Sequence, residues 1–201
     1  SLLLIDPQGC RPFDEGRKGM SLGEGAAVLT LESAGAAARR NARVLARLAG
    51  WAATCDAHHA AAPSPDGEGI QRAMRRALDA AGLAPRDIHY INAHGTATPD
   101  NDRAEAAAIR AVFGEDMPPV SSIKRMFGHT FAAAGAIEAV ACLLALRNQA
   151  LPPNAGLGRL DPACPVNIQK DFAPRALSNV MSLSLGFGGN NNCLILSAAQ
   201  P

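Results

Sequence analysis

The sequence predicts an α/β fold, a largely parallel sheet with helices packed on both faces. Three observations carry that expectation. Short apolar runs bounded by glycine and proline alternate with stretches whose apolar residues recur at helical spacing, the pattern of strands joined by crossover helices. The 201 residues are 48% hydrophobic and 18% charged, enough apolar material for one full core. Aromatic residues make up only 4% while alanine is abundant, so the interior is expected to be small-residue helix on sheet rather than clustered rings.

Taken in order, Gly23-Glu24-Gly25 leads into an apolar run over 26–31 that reads as a buried strand. Ser33 can cap an Ala/Arg-rich helix to about Asn41, and a second strand is expected over 44–53. A Pro/Gly/Asp loop over 62–67 separates it from a helix over 70–81. In that helix Ile70, Met74, Ala77 and Leu78 fall at i, i+4, i+7 and i+8, and Gly82 stands where a left-handed C-cap is expected. Residues 88–92 read as a strand, 102–113 as a helix with a polar first turn, and 119–122 as a short strand. An alanine-rich buried helix is expected over 130–148. Two β-rich runs, 178–185 and 192–197, joined by a glycine turn, would add an antiparallel pair. No internal repeat is visible.

Composition excludes several classes of function. The net charge is +1, and no basic stripe is interleaved with aromatics, so nucleic-acid binding has nothing to rest on. The clusters Arg39, Arg40, Arg43, Arg47 and Arg72, Arg75, Arg76 read as solvated helix faces. Cys10, Cys55, Cys142, Cys164 and Cys193 are odd in number and lack zinc-site spacing, so reduced, buried thiols in a cytoplasmic protein are expected. The opening residues 1–5 run into an Asp6-Pro7-Gln8-Gly9 turn without a basic leader, and the start reads as the interior of a longer chain. The longest apolar stretch, 131–146, carries Glu138 and falls short of the ~20 residues of a spanning helix, so a buried helix and no membrane contact are expected.

Two histidines in glycine-flanked loops carry the chemistry: His94 in Ile91-Asn92-Ala93-His94-Gly95-Thr96-Ala97-Thr98-Pro99, and His129 in Ser121-Ser122-Ile123-Lys124-Arg125-Met126-Phe127-Gly128-His129-Thr130. They look like two donors for one developing oxyanion. Neutral imidazoles suit that task, because each donates one N–H without protonating the carbanion it stabilises. His129 lies just before the predicted helix start, where the helix dipole disfavours imidazolium. Glu138 interrupts an apolar helix and needs a cationic or hydrogen-bonding partner.

With the tail Leu185-Gly186-Phe187-Gly188-Gly189-Asn190-Asn191, this set resembles the β-ketoacyl-[acyl carrier protein] synthases, the condensing enzymes of fatty acid and polyketide assembly. The resemblance runs from Cys10 to Leu196 and implies a thiolase-like layered αβαβα fold. This chain would cover its second half plus the end of the first, residues 1–201 forming a single thiolase-like unit with the seam at about residue 60. It further implies decarboxylative Claisen condensation of an enzyme-bound acyl group with malonyl-[acyl carrier protein]. His94, His129, Lys124, Glu138 and Phe187 would be catalytic, with Lys124 and Glu138 pairing behind the histidines. Thr96, Thr98, Gly188 and Gly189 would bind substrate, the threonines holding the phosphopantetheine arm of the carrier. No tightly bound cofactor and no metal are implied.

In that family the acyl chain rides on a cysteine upstream of the segment that resembles Arg11-Pro12-Phe13-Asp14, so another segment or partner chain should bring it. The expected partners are that segment, acyl carrier protein, and a second subunit in a homodimer or heterodimer. Cys10 lacks the strand-to-helix elbow of a nucleophile. Two departures bear on acyl selectivity: Asn190 where threonine is usual, and Leu185 where an aromatic is common. Asp102 and Glu105 read as first-turn helix acids and, with Asp100, match no EF-hand spacing; His58-His59 lies in a polar loop. Two rivals stand beside this reading. A non-catalytic chain-length-factor-like partner subunit shares the implied fold, and a thiolase would need a catalytic cysteine near the C-terminus, where Cys193 sits in an apolar run suited to a buried strand.

Overall fold

A computed structural model describes residues 4–199; the first three residues of the opening run lie outside them. One mixed sheet contains β1 (Ala46–Cys55), β2 (Tyr90–Asn92), β3 (Val120–Ser121), β6 (Asn179–Gly186) and β7 (Asn190–Ala198), in the order β1-β7-β6-β2-β3. β6, β2 and β3 run parallel, whereas β6 and β7 form the expected hairpin and β1 pairs antiparallel with β7 from Ala46↔Ala198 to Cys55↔Asn190. A two-stranded pair, β4 (Ala150–Leu151) with β5 (Ala173–Pro174), stands apart.

Helices α2 (Glu68–Ala81) and α3 (Pro99–Phe113) lie on one face of the sheet. The expected stripe of α2 is what it buries: Ile70, Met74, Ala77 and Leu78 pack with Ile109 of α3 and with Ile91, Met181 and Ile195 of the sheet. Met74 and Ile109 are wholly buried, and truncating either to alanine costs about 2–5 kcal/mol. Gly82 ends α2 in the left-handed conformation at φ 66°. β1 lies so close to α2 that a Cβ on Gly50 would stand 2.2 Å from the Ala77 carbonyl oxygen, so the β-bulge between Leu48 and Gly50 and the glycine go together. Ser33 caps α1 (Ala34–Arg39) by accepting the Ala36 N–H.

The opposite face carries α5 (Ala134–Asn148) over Tyr90, Val180 and Leu196. Four expectations need correction here. Residues 26–31 form no strand: Val28 is 93% and Leu31 75% exposed, because no neighbouring strand among the described residues pairs with them. The helix over 130–148 begins as a 3-10 turn, Phe131–Ala133, and α5 starts only at Ala134, the break coinciding with the left-handed Phe131 at φ 49°. Nor is that helix buried all round. Residues 131–148 are long and apolar enough by length and composition to cross a membrane, and only a third of them are buried, although Ala134, Glu138, Cys142 and Ala145 seat the helix on the sheet. All five cysteines are free, but Cys55 is exposed, unlike the other four.

Candidate active site

β2 and β3 are parallel neighbours, so the loops leaving their carboxyl ends stand side by side, as ligand loops do in α/β sheets. The first loop carries His94. The second runs through α4 (Lys124–Phe127) and a left-handed Gly128 to His129. The two imidazoles meet with centroids 5.3 Å apart and planes at 83°.

His94 is fixed from behind by buried groups. Its backbone N–H donates to Glu105 Oε1 at 2.7 Å, and the Gly95 N–H donates to Oε2 at 2.8 Å. Gly95 adopts φ 44°, and a Cβ there would stand 2.5 Å from that of Ser122, so the loop needs glycine at this close approach. Asp102 ties the same loop to the segment around Phe13, accepting the Ala97 N–H at 3.0 Å and the Phe13 N–H at 2.7 Å. Both acids are fully buried. They lie in or near the first turn of α3, as expected, but face inward as acceptors rather than outward to water. Burial is the chief cause in each case: it pushes the Glu105 carboxyl up to about 8 and raises Asp102.

Lys124 and Glu138 are each 2% exposed and pair directly. The ammonium has three donors and three acceptors within reach: Glu138 Oε1, the His94 carbonyl, and His94 Nδ1 at 3.2 Å. Glu138 Oε2 accepts the Ser184 hydroxyl at 3.1 Å. Burial raises the Glu138 carboxyl, and Lys124 pulls it back. Since Nδ1 of His94 faces an ammonium, its proton sits on Nε2. His129 takes the same tautomer, because its Nδ1 accepts the Phe131 N–H at 3.3 Å.

Both rings are held neutral. His94 lies well below the usual imidazole range, chiefly through burial, then through Lys124 and His129. Burial first and Lys124 second bring His129 down to about 4. α5 begins at Ala134, five residues after His129 rather than directly behind it.

A cavity of about 220 Å³ opens onto the two histidines, lined also by Thr96, Thr98, Phe131, Leu185, Phe187 and Gly189. Thr96 and Thr98 join hydroxyls at 2.9 Å on its wall. Phe187 is 59% exposed in the 3-10 turn between β6 and β7. That turn is anchored by Gly188 N–H to Ala60 O at 2.8 Å and by Asp56 N–H to Gly189 O at 2.9 Å. Asn190 braces it by donating to the Phe187 carbonyl at 3.0 Å. Lys124, Glu138 and Gly188 do not line the cavity; the first two stand behind the histidines. Cys193 is fully buried in β7, where burial pushes its thiol far up, and Cys10 is buried as well. Among the described residues no group of three or more His, Cys, Asp or Glu is arranged to hold a metal.

Sequence reasoning passed over four residues that shape this site. Glu105 and Asp102 were masked by the ordinary appearance of acids at a helix start, Asp56 by its polar loop. Phe131 had no signal beyond its place two residues after His129.

Paired histidines at the carboxyl ends of adjacent parallel strands, over a mixed sheet faced by helices on both sides, define an α/β protein with a thiolase-like fold. The chain belongs to the beta-ketoacyl synthase family: residues 45–158 match its profile "Beta-ketoacyl synthase, C-terminal domain". It is 44% identical over 189 residues to 3-oxoacyl-[acyl-carrier-protein] synthase 2 of Staphylococcus aureus, an alignment covering 92% of this chain and 47% of that protein. The chain thus spans about half the length of the curated relatives it matches. Among solved structures, the ishigamide ketosynthase/chain length factor superposes with a TM-score of 0.95 at 40% identity, covering 99% of this chain and 49% of that one. A type II PKS acyl-carrier protein in complex with its ketosynthase bound to the hexaketide gives 0.92 at 34% identity, covering 98% and 49%.

Proposed function

We propose that this chain supplies the decarboxylating half of a 3-oxoacyl-[acyl carrier protein] synthase site. The observation that carries the reading is the convergence of two neutral imidazoles, each with its proton on Nε2, at 5.3 Å beside one cavity. Malonyl thioester would enter with its pantetheine arm along Thr96 and Thr98. Breaking the bond to its carboxylate releases carbon dioxide and leaves the electron pair as an enolate, whose oxygen accepts from His94 and His129. The enolate carbon then attacks the acyl thioester, forming the new carbon–carbon bond and releasing the cysteine thiolate. Lys124 and Glu138 act by positioning His94. Phe187 covers the acyl side of the cavity and offers its backbone N–H to the acyl oxyanion.

The nucleophilic cysteine would come from a complementary segment equivalent to the other half of the relatives' length. Val28, Leu31, Trp51 and Leu144 are exposed apolar side chains, and that segment is the occupant we assign to cover them. The reading keeps the single thiolase-like unit over residues 1–201, with its seam at about residue 60. Acyl carrier protein is the substrate-bearing partner, no resident cofactor is needed, and five free thiols suit a reducing cytoplasm.

A chain-length-factor-like role has one observation in its favour, the similarity to a ketosynthase/chain length factor structure. The intact His94, Lys124 and His129 favour catalysis. Assembly with the complementary segment, followed by supply of acyl- and malonyl-[acyl carrier protein], separates the two. Formation of 3-oxoacyl product that stops when His94 and His129 are both replaced supports the enzyme. Product whose length alone changes supports the scaffold.

A further inference from the structure

Phe131 occupies a costly position: a large apolar side chain, 52% exposed, on a backbone with φ 49° in the left-handed region. Two contacts account for it, and both go to one partner. The Phe131 ring stacks on the His129 imidazole with centroids 4.7 Å apart and planes at 17°. Its backbone N–H donates to His129 Nδ1 at 3.3 Å. The first contact covers a face of the imidazole and fixes its plane. The second decides which nitrogen carries the proton.

Resting on the reading of His129 as an oxyanion donor, we propose that Phe131 is the positioning residue of that histidine, holding it as the Nε2–H tautomer aimed into the cavity and shielded on one face from water. The other neighbours do not supply this. His94 meets the ring nearly perpendicular, leaving the stacked face to Phe131. Ser21 and Gly23 bind only the backbone of His129. The charged groups around it are Lys124 on α4 and, reached through Lys124, Glu138 on α5; Asp56 and Asp100 lie on the cavity wall. Lys124 opposes a charge on His129 but sets neither its plane nor its tautomer.

Every substitution at 131 other than proline keeps the backbone N–H, so variants isolate the ring. In the assembled protein, Phe131→Ala, Phe131→Leu and Phe131→Tyr are compared by nitrogen-15 NMR of labelled histidine, with the His129 signals assigned by their loss in His129→Gln. The expected result is a His129 titration midpoint raised by about one pH unit in the Ala and Leu variants, toward the ordinary imidazole value. The Nε2–H tautomer should persist, since the backbone N–H is kept, and malonyl decarboxylation near pH 4 should fall about fivefold, the deficit shrinking as pH rises. Phe131→Tyr, which keeps a ring, should match the parent protein. An unchanged midpoint in Phe131→Leu, or a Tyr variant as impaired as Leu, overturns the proposal. The Leu and Tyr variants decide the matter even where the Ala variant does not fold. If the midpoint responds to residue 131 while His129→Ala leaves decarboxylation unchanged, the positioning stands and the catalytic reading of His129 fails.

Discussion

Glu105 grips two successive amides of the loop that bears His94: its two carboxylate oxygens accept the N–H groups of His94 and Gly95 at 2.7 and 2.8 Å. Glu105→Gln replaces one acceptor with an NH2 group that faces a backbone donor. A buried N–H left without an acceptor costs about 1–3 kcal/mol, so denaturant unfolding should register a loss of that size. Decarboxylation should fall about tenfold or more, because the loop bearing His94 loosens. An unaltered unfolding midpoint would show that the loop is held by other means.

The Lys124–Glu138 pair makes a second prediction. Each is 2% exposed, and removing one partner of a buried pair costs about 3–5 kcal/mol, since the other charge is left uncompensated. Lys124→Ala and Glu138→Gln should each destabilise, whereas the double variant should cost much less than their sum. A double-mutant cycle measures the coupling. Additive effects would mean that the two side chains do not act as a unit.

Much of the fold is legible in the sequence. The stripe of α2, its Gly82 cap and the Ser33 cap are local signals, set by neighbours in sequence, and they lie where periodicity puts them. Residues 26–31 were not legible in the same way. An apolar run states a preference for strand, but a strand exists only where a partner pairs with it, and none does among the described residues. Nor does spacing alone bring His94 and His129 together, since that depends on β2 and β3 being parallel neighbours. The motif resemblance supplied that step. The inward turn of Glu105 and Asp102 is likewise tertiary: the same acids at a helix start serve water or a buried loop, and only packing decides which.

The histidines also predict a pH profile. Their neutral forms are favoured in the folded protein, His129 down to about 4 and His94 well below its ordinary value, whereas unfolded histidines protonate near 6.5. Depressed values mean that stability from this source is present above about 6.5 and is lost as pH falls toward 4. Decarboxylation should therefore hold between pH 7 and about 5, losing its histidine-dependent activity only nearer 4. A histidine midpoint near 6.5 in the acid limb would contradict the buried, neutral site.

Assembly is a fourth prediction. With Val28 93%, Leu31 75% and Trp51 63% exposed, the 201-residue chain alone should self-associate or bind its complementary segment. Sedimentation should find no stable lone species of 20.8 kDa. A monodisperse monomer that does not bind the segment would contradict the assigned occupant of that surface.

The most direct test of the central claim separates the two halves of the reaction in the assembled protein. If His94 and His129 hold the enolate oxygen, His94→Ala and His129→Ala should each slow carbon dioxide release from malonyl-[acyl carrier protein] by on the order of a hundredfold or more, the effect of removing one preorganised donor. Acyl transfer to the cysteine should change far less. Carbon dioxide release at the parent rate in both variants, with circular dichroism unchanged, would contradict the account.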